Sequence, residues 1–263
     1  MGGSAERRHG CLGYADEDAL VEHGLRFLVE SAQRGQRLVI VGTLGSWSER
    51  LQWALRGRVA LREDQLVVAE AAEVYAVGRP IDAQAQLATY DHMVDQALAD
   101  GYTGLGVVAE MTSLVSAELI DSHVAWEATA DRYMTEHPLE ALCCFPADAV
   151  SEDATADLAG VHADGDPERP WLPRVFARAG NGVGLAGELD AFGAPQVRRM
   201  LDRVAPESDE LVIDLEGVSF IDHAAVLTLA AFADERRAAG ATVTVEHPPR
   251  LVPVIEQLCG VSL

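Results

Sequence analysis

The stretch LVIDLEGVSFIDHAAVLTLAAFADERRAAG, residues 211–240, decides the fold of the C-terminal part of the chain. Two apolar runs, 211–215 and 218–221, lead directly into Asp222. Asp222 is a good N-cap residue because its carboxylate accepts hydrogen bonds from the first free amides of a helix, and Gly240 suits the left-handed residue that often follows a helix end. The pattern predicts a buried strand, a tight corner and a helix whose N-terminus is presented at the surface. Such a terminus carries unpaired N–H groups and the positive end of the helix dipole, which favours docking of a partner.

Three further segments extend this pattern: LAGELD at 185–190, GATV at 240–243 and LCGV at 258–261. In this order they resemble the STAS domain of bacterial anti-sigma-factor antagonists, over about a third of the chain from residue 175 onward. The resemblance implies that a partner binds at the corner, through Asp222, His223, Ala224, Ala225 and Asp190.

The corner departs from the STAS family at one functional position. In phosphorylatable members a serine directly follows the aspartate and accepts phosphate from a kinase that is also the anti-sigma factor. Here His223, Ala224 and Ala225 follow Asp222, so the hydroxyl is missing. Serine phosphorylation adds one to two negative charges and three strong acceptors. We therefore expect that control of the STAS-like part does not run through serine phosphorylation.

Composition excludes several functions. A chain of 263 residues accommodates two ordinary domains. The formal net charge of −22 argues against nucleic acid and against an anionic membrane surface as partners. All 20 basic residues are arginine, which excludes lysine nucleophiles and an intact phosphate-binding loop ending in Gly-Lys-Ser/Thr. The four cysteines form no CxxC pair, and no signal peptide or long apolar span is present, so a reduced, cytoplasmic protein is expected.

Strand and helix patterns alternate through the N-terminal part, which predicts an α/β domain with a mostly parallel sheet flanked by helices. Strands are predicted at 37–41, 65–69, 105–109 and 139–145. Helices are predicted at 16–34, 48–56 with Ser48 as N-cap, 82–100, 116–135 and 151–159. The acidic, proline-rich run 162–173 is the best linker candidate, and Asn181-Gly182 predicts a hairpin between 174–178 and 183–188. The expected division is a domain at 1–165, a linker at 166–174 and a smaller α/β domain at 175–263.

The N-terminal part also shows a family pattern. His9-Gly10-Cys11 before Tyr14, GYTGL at 101–105, Glu110 and LCCF at 142–145 together resemble the MEDS domain, a sensory module distantly similar to RecA-type ATPase cores. The loop TLGSW at 43–47 then stands where an ATPase places its phosphate loop, but it lacks the lysine and the closely spaced glycines. The resemblance and the residue types imply ligand binding at the ends of the strands. The candidates are His9, Cys11, Tyr14, Trp47, Glu110 and Glu127.

Several residues of the N-terminal part are of the types that bind metals or catalyse hydrolysis. A metal site drawn from His9, Cys11, His123 or Cys144 is conceivable, but packing is the preferred interpretation, so neither a metal nor a cofactor is predicted. Asp121-Ser122-His123 contains the residue types of a catalytic triad, yet no GxSxG nucleophile elbow accompanies it. The chain is therefore expected not to be an enzyme.

Together these patterns predict a cytoplasmic signalling regulator. Its STAS-like half would bind an anti-sigma factor or a serine-kinase-type regulator, under control of the sensory half. The alternative is a small-molecule receptor whose STAS-like half holds an oligomer together, and self-association is left open.

Overall fold

The N-terminal part of the chain forms an entirely parallel five-stranded sheet. The computed structural model describes residues 8–116, 118–149 and 151–263. The strands are β1 His9–Tyr14, β2 Arg37–Gly42, β3 Leu66–Glu70, β4 Leu105–Glu110 and β5 Leu139–Pro146, in the spatial order β1-β5-β4-β2-β3. Parallel neighbours need long crossover connections, and the predicted helices supply them.

Helices cover both faces of this sheet. They are α1 Glu17–Gln33, α2 Ser46–Arg56, α3 Ala71–Val74, α4 Ala83–Ala99, α5 Ile120–Met134 and α6 Glu152–Gly160. Alternate residues of β2 show how the faces divide: Leu38 and Ile40 pack on the side of α1 and α2, whereas Val39 and Val41 join the core under α4 and α5. A strand that is buried on both faces has a continuous run of apolar residues in its sequence, and such runs predicted the central strands.

The C-terminal part is a smaller α/β domain. Its elements are β6 Arg174–Arg178, β7 Gly182–Leu189, α7 Ala194–Val204, β8 Glu210–Ile221, α8 His223–Ala238, β9 Thr242–Glu246 and α9 Val252–Cys259. Strands β6 and β7 form the predicted antiparallel hairpin, and the remaining neighbours in the order β6-β7-β8-β9 are parallel. The predicted α/β class, with a larger N-terminal and a smaller C-terminal domain, is confirmed.

Three local predictions are corrected. Residues 9–14 form a strand that was not predicted, because Gly10 and Gly13 weaken the β pattern. Helix α2 begins at Ser46 rather than Ser48, since Gly45 is the N-cap and the Ser48 hydroxyl accepts a hydrogen bond from its amide. Helix α5 begins at Ile120 rather than at residue 116, and residue 117 lies outside the described residues. The strand predicted before Asp222 is present: both apolar runs belong to one twelve-residue strand, whose pairing with β7 shifts register midway.

The first part of the segment after α6 packs against β1. The amide of Cys11 donates to Gly165 at 2.9 Å and that of Asp164 donates to His9 at 3.0 Å, so this segment lines the outer edge of β1. His162, placed by the sequence in an acidic linker, is 1% exposed. One apolar core then continues from beneath α5 into the second sheet. Among the described residues, every helix is too short or too polar to cross a lipid bilayer.

Candidate functional sites

A cluster of buried polar side chains surrounds Glu127 of α5. Its Oε2 atom lies 3.3 Å from His9 Nε2, 3.4 Å from His162 Nε2 and 3.5 Å from Cys143 Sγ. Its Oε1 atom lies 3.0 Å from His123 Nε2, one turn earlier on the same helix. The cluster therefore brings together the start of β1, the middle of β5, helix α5 and the segment after α6.

Hydrogen bonds at Nδ1 locate one ring proton of His9 and one ring proton of His162. Nδ1 of His9 lies 2.9 Å from a carboxylate oxygen of Asp131, and Nδ1 of His162 lies 2.7 Å from the carbonyl oxygen of Leu158. A carbonyl and an ionised carboxylate only accept hydrogen bonds, so each Nδ1 carries a proton. In both rings it is consequently Nε2 that faces Glu127.

The neighbours of each group in this cluster set its ionisation. Burial raises the pKa of Glu127, but the three imidazoles around it, of His123, His162 and His9, outweigh this effect and hold the pKa well below its usual value. Burial lowers the pKa of His9, yet its bonds to Asp131 and Glu127 prevail and raise that pKa to about 9. Burial raises the pKa of the Cys143 thiol, and the nearby Glu127 charge adds to this effect. By itself the cluster thus holds an ionised carboxylate beside a neutral thiol.

A second group lies at the carboxyl ends of the strands, around Glu110. The Tyr14 hydroxyl donates to Glu110 at 3.0 Å, and the amide of Thr43 donates to its other oxygen at 3.2 Å. The Trp47 indole N–H donates to the Thr43 carbonyl at 2.9 Å. In this loop, where an ATPase would present amides to a phosphate, the Thr43 amide binds the chain's own carboxylate. An anion would therefore meet negative charge at this position.

The six candidate ligand residues thus separate into two groups. Tyr14 contacts Glu110 at the strand ends, and Trp47 is linked to them through Thr43, whereas His9 and Glu127 meet in the buried cluster. Cys11 is fully buried and pairs in register with Cys143, on the same side of the sheet as His9. Whether any of them binds a ligand stays a prediction.

The cluster residues Cys143 and His162 were missed as a site. In the sequence Cys143 is only part of the run at 142–145, and His162 is part of the linker candidate at 162–173. The i, i+4 spacing of His123 and Glu127 on one helix was the available signal, since such residues share a face. The contribution of β1 could not be inferred without its pairing to β5.

At the corner of the C-terminal domain, both predicted aspartates bind backbone amides. Asp222 is the N-cap of α8: one of its oxygens accepts from Ala225 at 3.0 Å and the other from Ala191 at 2.9 Å. Asp190 accepts from Phe192 at 3.0 Å and from Gly193 at 2.8 Å, and so shapes the neighbouring loop. Both carboxylates consequently hold the corner together.

The remaining corner residues differ in exposure. His223 is exposed and Ala224 is half-buried, but Ala225 is fully buried, so its methyl group belongs to the core and not to a contact surface. Sequence reasoning did not identify the large apolar side chains nearby. Phe192 is 94% exposed, Phe220 49% and Leu227 38%. The helix start is thus surrounded by exposed apolar groups.

These features define a two-domain α/β protein in which a parallel-sheet domain with a buried polar cluster adjoins a smaller domain with an exposed helix start. Residues 8–163 match the family described as "MEDS: MEthanogen/methylotroph, DcmR Sensory domain", and residues 175–262 match the family described as "Mlab, STAS domain". The first match spans more than half of the 263 residues, and the chain belongs to the MEDS family. A comparison with curated proteins gives no significant match. The chain is accordingly a signalling regulator that joins a sensory domain to a partner-binding STAS domain.

Proposed function

We propose that this chain is a cytoplasmic, non-enzymatic regulator that binds an anti-sigma factor, or a related serine-kinase-type regulator, at the start of α8. The observation that carries the proposal is the corner at Asp222. The helix start is capped, and the next side chain, His223, is exposed at the surface. It carries no hydroxyl, so the sensory domain takes over the control that phosphorylation exerts in other STAS proteins.

The surface around the corner suits a protein partner. Phe192 lies in the loop whose Ala191 amide binds Asp222, and Phe220 lies two residues before Asp222 on β8. Leu227 lies one turn after His223 on α8. Exposed apolar side chains grouped around a polar helix end are typical of a protein-binding surface.

Contacts between the domains support control from the sensory side. Arg132, at the end of α5, donates to the carbonyls of Arg178 at 2.7 Å and Gly180 at 3.0 Å in the β6–β7 hairpin. It also donates to Val204 at the end of α7, at 3.2 Å. A shift of α5 would therefore move the hairpin and α7 of the STAS domain.

The test is affinity capture from native lysate with three baits: the wild-type chain, Phe192→Asp and the control Trp53→Asp. Trp53 is 80% exposed on α2 of the sensory domain, so its substitution is matched in chemistry and remote from the corner. The wild type and Trp53→Asp are expected to retain the anti-sigma factor, and Phe192→Asp is expected to lose at least tenfold. Equal capture by all three baits would exclude the corner as the binding surface.

The absence of phosphorylation is tested separately. The captured kinase is incubated with the chain and labelled ATP, and the peptide that spans the corner is analysed by mass spectrometry. No label is expected on this peptide. Stoichiometric phosphate on it would contradict control by the sensory domain alone.

A second candidate function, an oligomer scaffold for a small-molecule receptor, is favoured by one observation. Helix α9 exposes Leu258 at 80% and Val254 at 52%, and its N-cap residue Leu251 is 56% exposed. Self-association through α9 would cover them. Light scattering after gel filtration distinguishes the candidates: Leu258→Glu should convert an oligomer into a monomer if α9 is the contact, and a monomeric wild type would dismiss the scaffold.

A further inference from the structure

We propose that His9, Glu127, Cys143 and His162 form a binding site for one divalent transition-metal ion, with Zn²⁺ as the best match to the donors. The donors are His9 Nε2, His162 Nε2, one oxygen of Glu127 and the sulfur of Cys143. The four atoms all lie within 4.8 Å of one another, and the four residues are buried. This metal site is separate from the proposed function, because the partner binds the STAS domain whereas the site lies in the sensory domain.

The distances suit tetrahedral coordination. Donors at 2.0–2.3 Å from a zinc ion in a tetrahedron lie roughly 3.3–3.7 Å from each other. Glu127 Oε2 is 3.3 Å from His9 Nε2, 3.4 Å from His162 Nε2 and 3.5 Å from Cys143 Sγ. The Cys143 sulfur is 4.0 Å from His9 Nε2. The four donors therefore need only small side-chain movements to share one ion.

Neighbouring groups orient the imidazole and carboxylate donors, as is usual around a protein-bound metal ion. A histidine that binds a metal usually donates its other ring N–H to a carboxylate or a backbone carbonyl. His9 does so to Asp131 and His162 does so to the Leu158 carbonyl. Nε2 of His123, 3.0 Å from the second oxygen of Glu127, orients that carboxylate. Every imidazole and carboxylate donor thus has an outer partner.

Electrostatics give an independent reason for a cation. Nε2 of His162 is buried and has no hydrogen-bond partner among the described residues, although it points at Glu127. With the His162 proton on Nδ1, a bare lone pair faces a carboxylate oxygen, which is repulsive. A divalent ion between them replaces this repulsion with two bonds. Binding of the ion releases two protons to solvent, one from the Cys143 thiol and one from Nε2 of His9. The charge of +2 then balances the two negative donors, the Glu127 carboxylate and the Cys143 thiolate.

The donor types narrow the choice of metal. Mg²⁺ and Ca²⁺ prefer oxygen ligands, whereas imidazole and thiolate favour zinc and its neighbours in the first transition row. The adjacent Cys144 is not a donor: its thiol lies near the Leu142 carbonyl and its side chain packs on the opposite face of the sheet. A water-sized cavity of about 10 Å³, lined in part by Tyr75, Tyr90 and Trp126, adjoins the site.

The test uses the full chain with Zn²⁺ and Co²⁺ as probes. Metal content is measured after chelator treatment, reloading and gel filtration, and one equivalent per chain is expected. The Co²⁺ form should show a thiolate-to-cobalt charge-transfer band together with the visible absorption of a tetrahedral ion. Cys143→Ser should lose the charge-transfer band and weaken Zn²⁺ binding at least 100-fold. The control, Cys144→Ser, removes an equally buried thiol and should keep both.

Wild-type measurements decide the matter even if Cys143→Ser fails to fold. Absence of stoichiometric Zn²⁺ or Co²⁺ in a chain that circular dichroism shows to be folded would overturn the site and leave a network of buried ion pairs. Cobalt bound without a thiolate band would equally reject this donor set. The donor set would also be rejected if Cys144→Ser lost the charge-transfer band while Cys143→Ser kept it. None of these results affects capture of a partner by the STAS domain.

Discussion

The carboxylate of Asp131, on helix α5, accepts a 2.6 Å hydrogen bond from the backbone amide of Ala177, on the edge strand β6 of the other domain. Its second oxygen binds His9 Nδ1 at 2.9 Å. One fully buried side chain therefore connects the polar cluster of the sensory domain to the sheet of the STAS domain. A change at His9 that moves this carboxylate would alter the position of β6.

Replacing Asp131 with asparagine should lower the free energy of unfolding by about 1–3 kcal/mol. Asparagine keeps one accepting oxygen but replaces the other with an NH2 group, which can only donate, and both neighbours of Asp131, His9 Nδ1 and the Ala177 amide, are donors. One buried donor consequently loses its acceptor. Urea unfolding followed by circular dichroism measures the change.

The matched control is Asp121→Asn. Asp121 is 87% exposed and pairs with Arg203 across the domain boundary, and an exposed ion pair contributes at most about 1 kcal/mol. Equal effects of the two substitutions would show that the Asp131 bridge has no special energetic role.

The sequence predicted the sheet better than the site because the two depend on different information. Val39, Ile40 and Val41 specify a buried strand by their own side chains, and Asp222 specifies a helix start through local hydrogen bonds. The cluster around Glu127 depends on four segments that meet only after folding. His162 looked like part of a linker because its neighbours are acidic, and β1 carries too many glycines to show a strand pattern. Tertiary contacts, and not local sequence preference, determine the positions of His162 and β1.

Gly187 tests the packing of the second sheet. Its φ is +84°, and a Cβ atom there would lie 2.2 Å from the Leu172 carbonyl oxygen. Gly187→Ala therefore combines backbone strain with a steric clash. We expect it to cost more than about 3 kcal/mol, the upper end for strain alone.

Gly240→Ala provides the control for strain without a clash. Gly240 has φ of +100°, but nothing lies within 4 Å of the added methyl. Its cost should be about 1 kcal/mol. Thermal unfolding of the two variants separates the effects, and equal midpoints would mean that the segment at Leu172 moves aside freely.

His247 should make stability depend on pH. Its Nδ1 lies 2.9 Å from Asp214, which also binds Arg178 at 2.7 Å. The hydrogen bond with Asp214 raises the pKa of His247 above 6.5. Burial raises the pKa of Asp214, but the Glu216 amide, His247 and Arg178 outweigh it and keep the pKa below its usual value.

The two shifts define a window of greatest stability. A raised histidine pKa stabilises the fold fully below pH 6.5, and this contribution is lost as pH rises through the folded-state pKa. The lowered pKa of Asp214 contributes above about pH 4 and is lost as pH falls through its folded value. The melting temperature should thus decline from pH 6 to pH 8, by less in His247→Gln. Substitution of the exposed His92 should keep the wild-type slope, and an unchanged slope in His247→Gln would contradict the assignment.

Asp222 should be the residue on which the corner depends most. Asp222→Ala removes the acceptor for the Ala225 amide, which caps α8, and the acceptor for the Ala191 amide, which ties the adjacent loop to the helix. Loss of an N-cap costs about 1 kcal/mol, so urea unfolding should show a decrease of about 1–2 kcal/mol. Both amides should also exchange with solvent faster in NMR measurements.

Asp222→Asn keeps one oxygen acceptor of similar capping strength, so it should protect Ala225 while releasing Ala191. If Asp222→Ala matched the wild type in stability and exchange, the corner would be held by the packing of α8 alone, and its shape could not depend on this carboxylate.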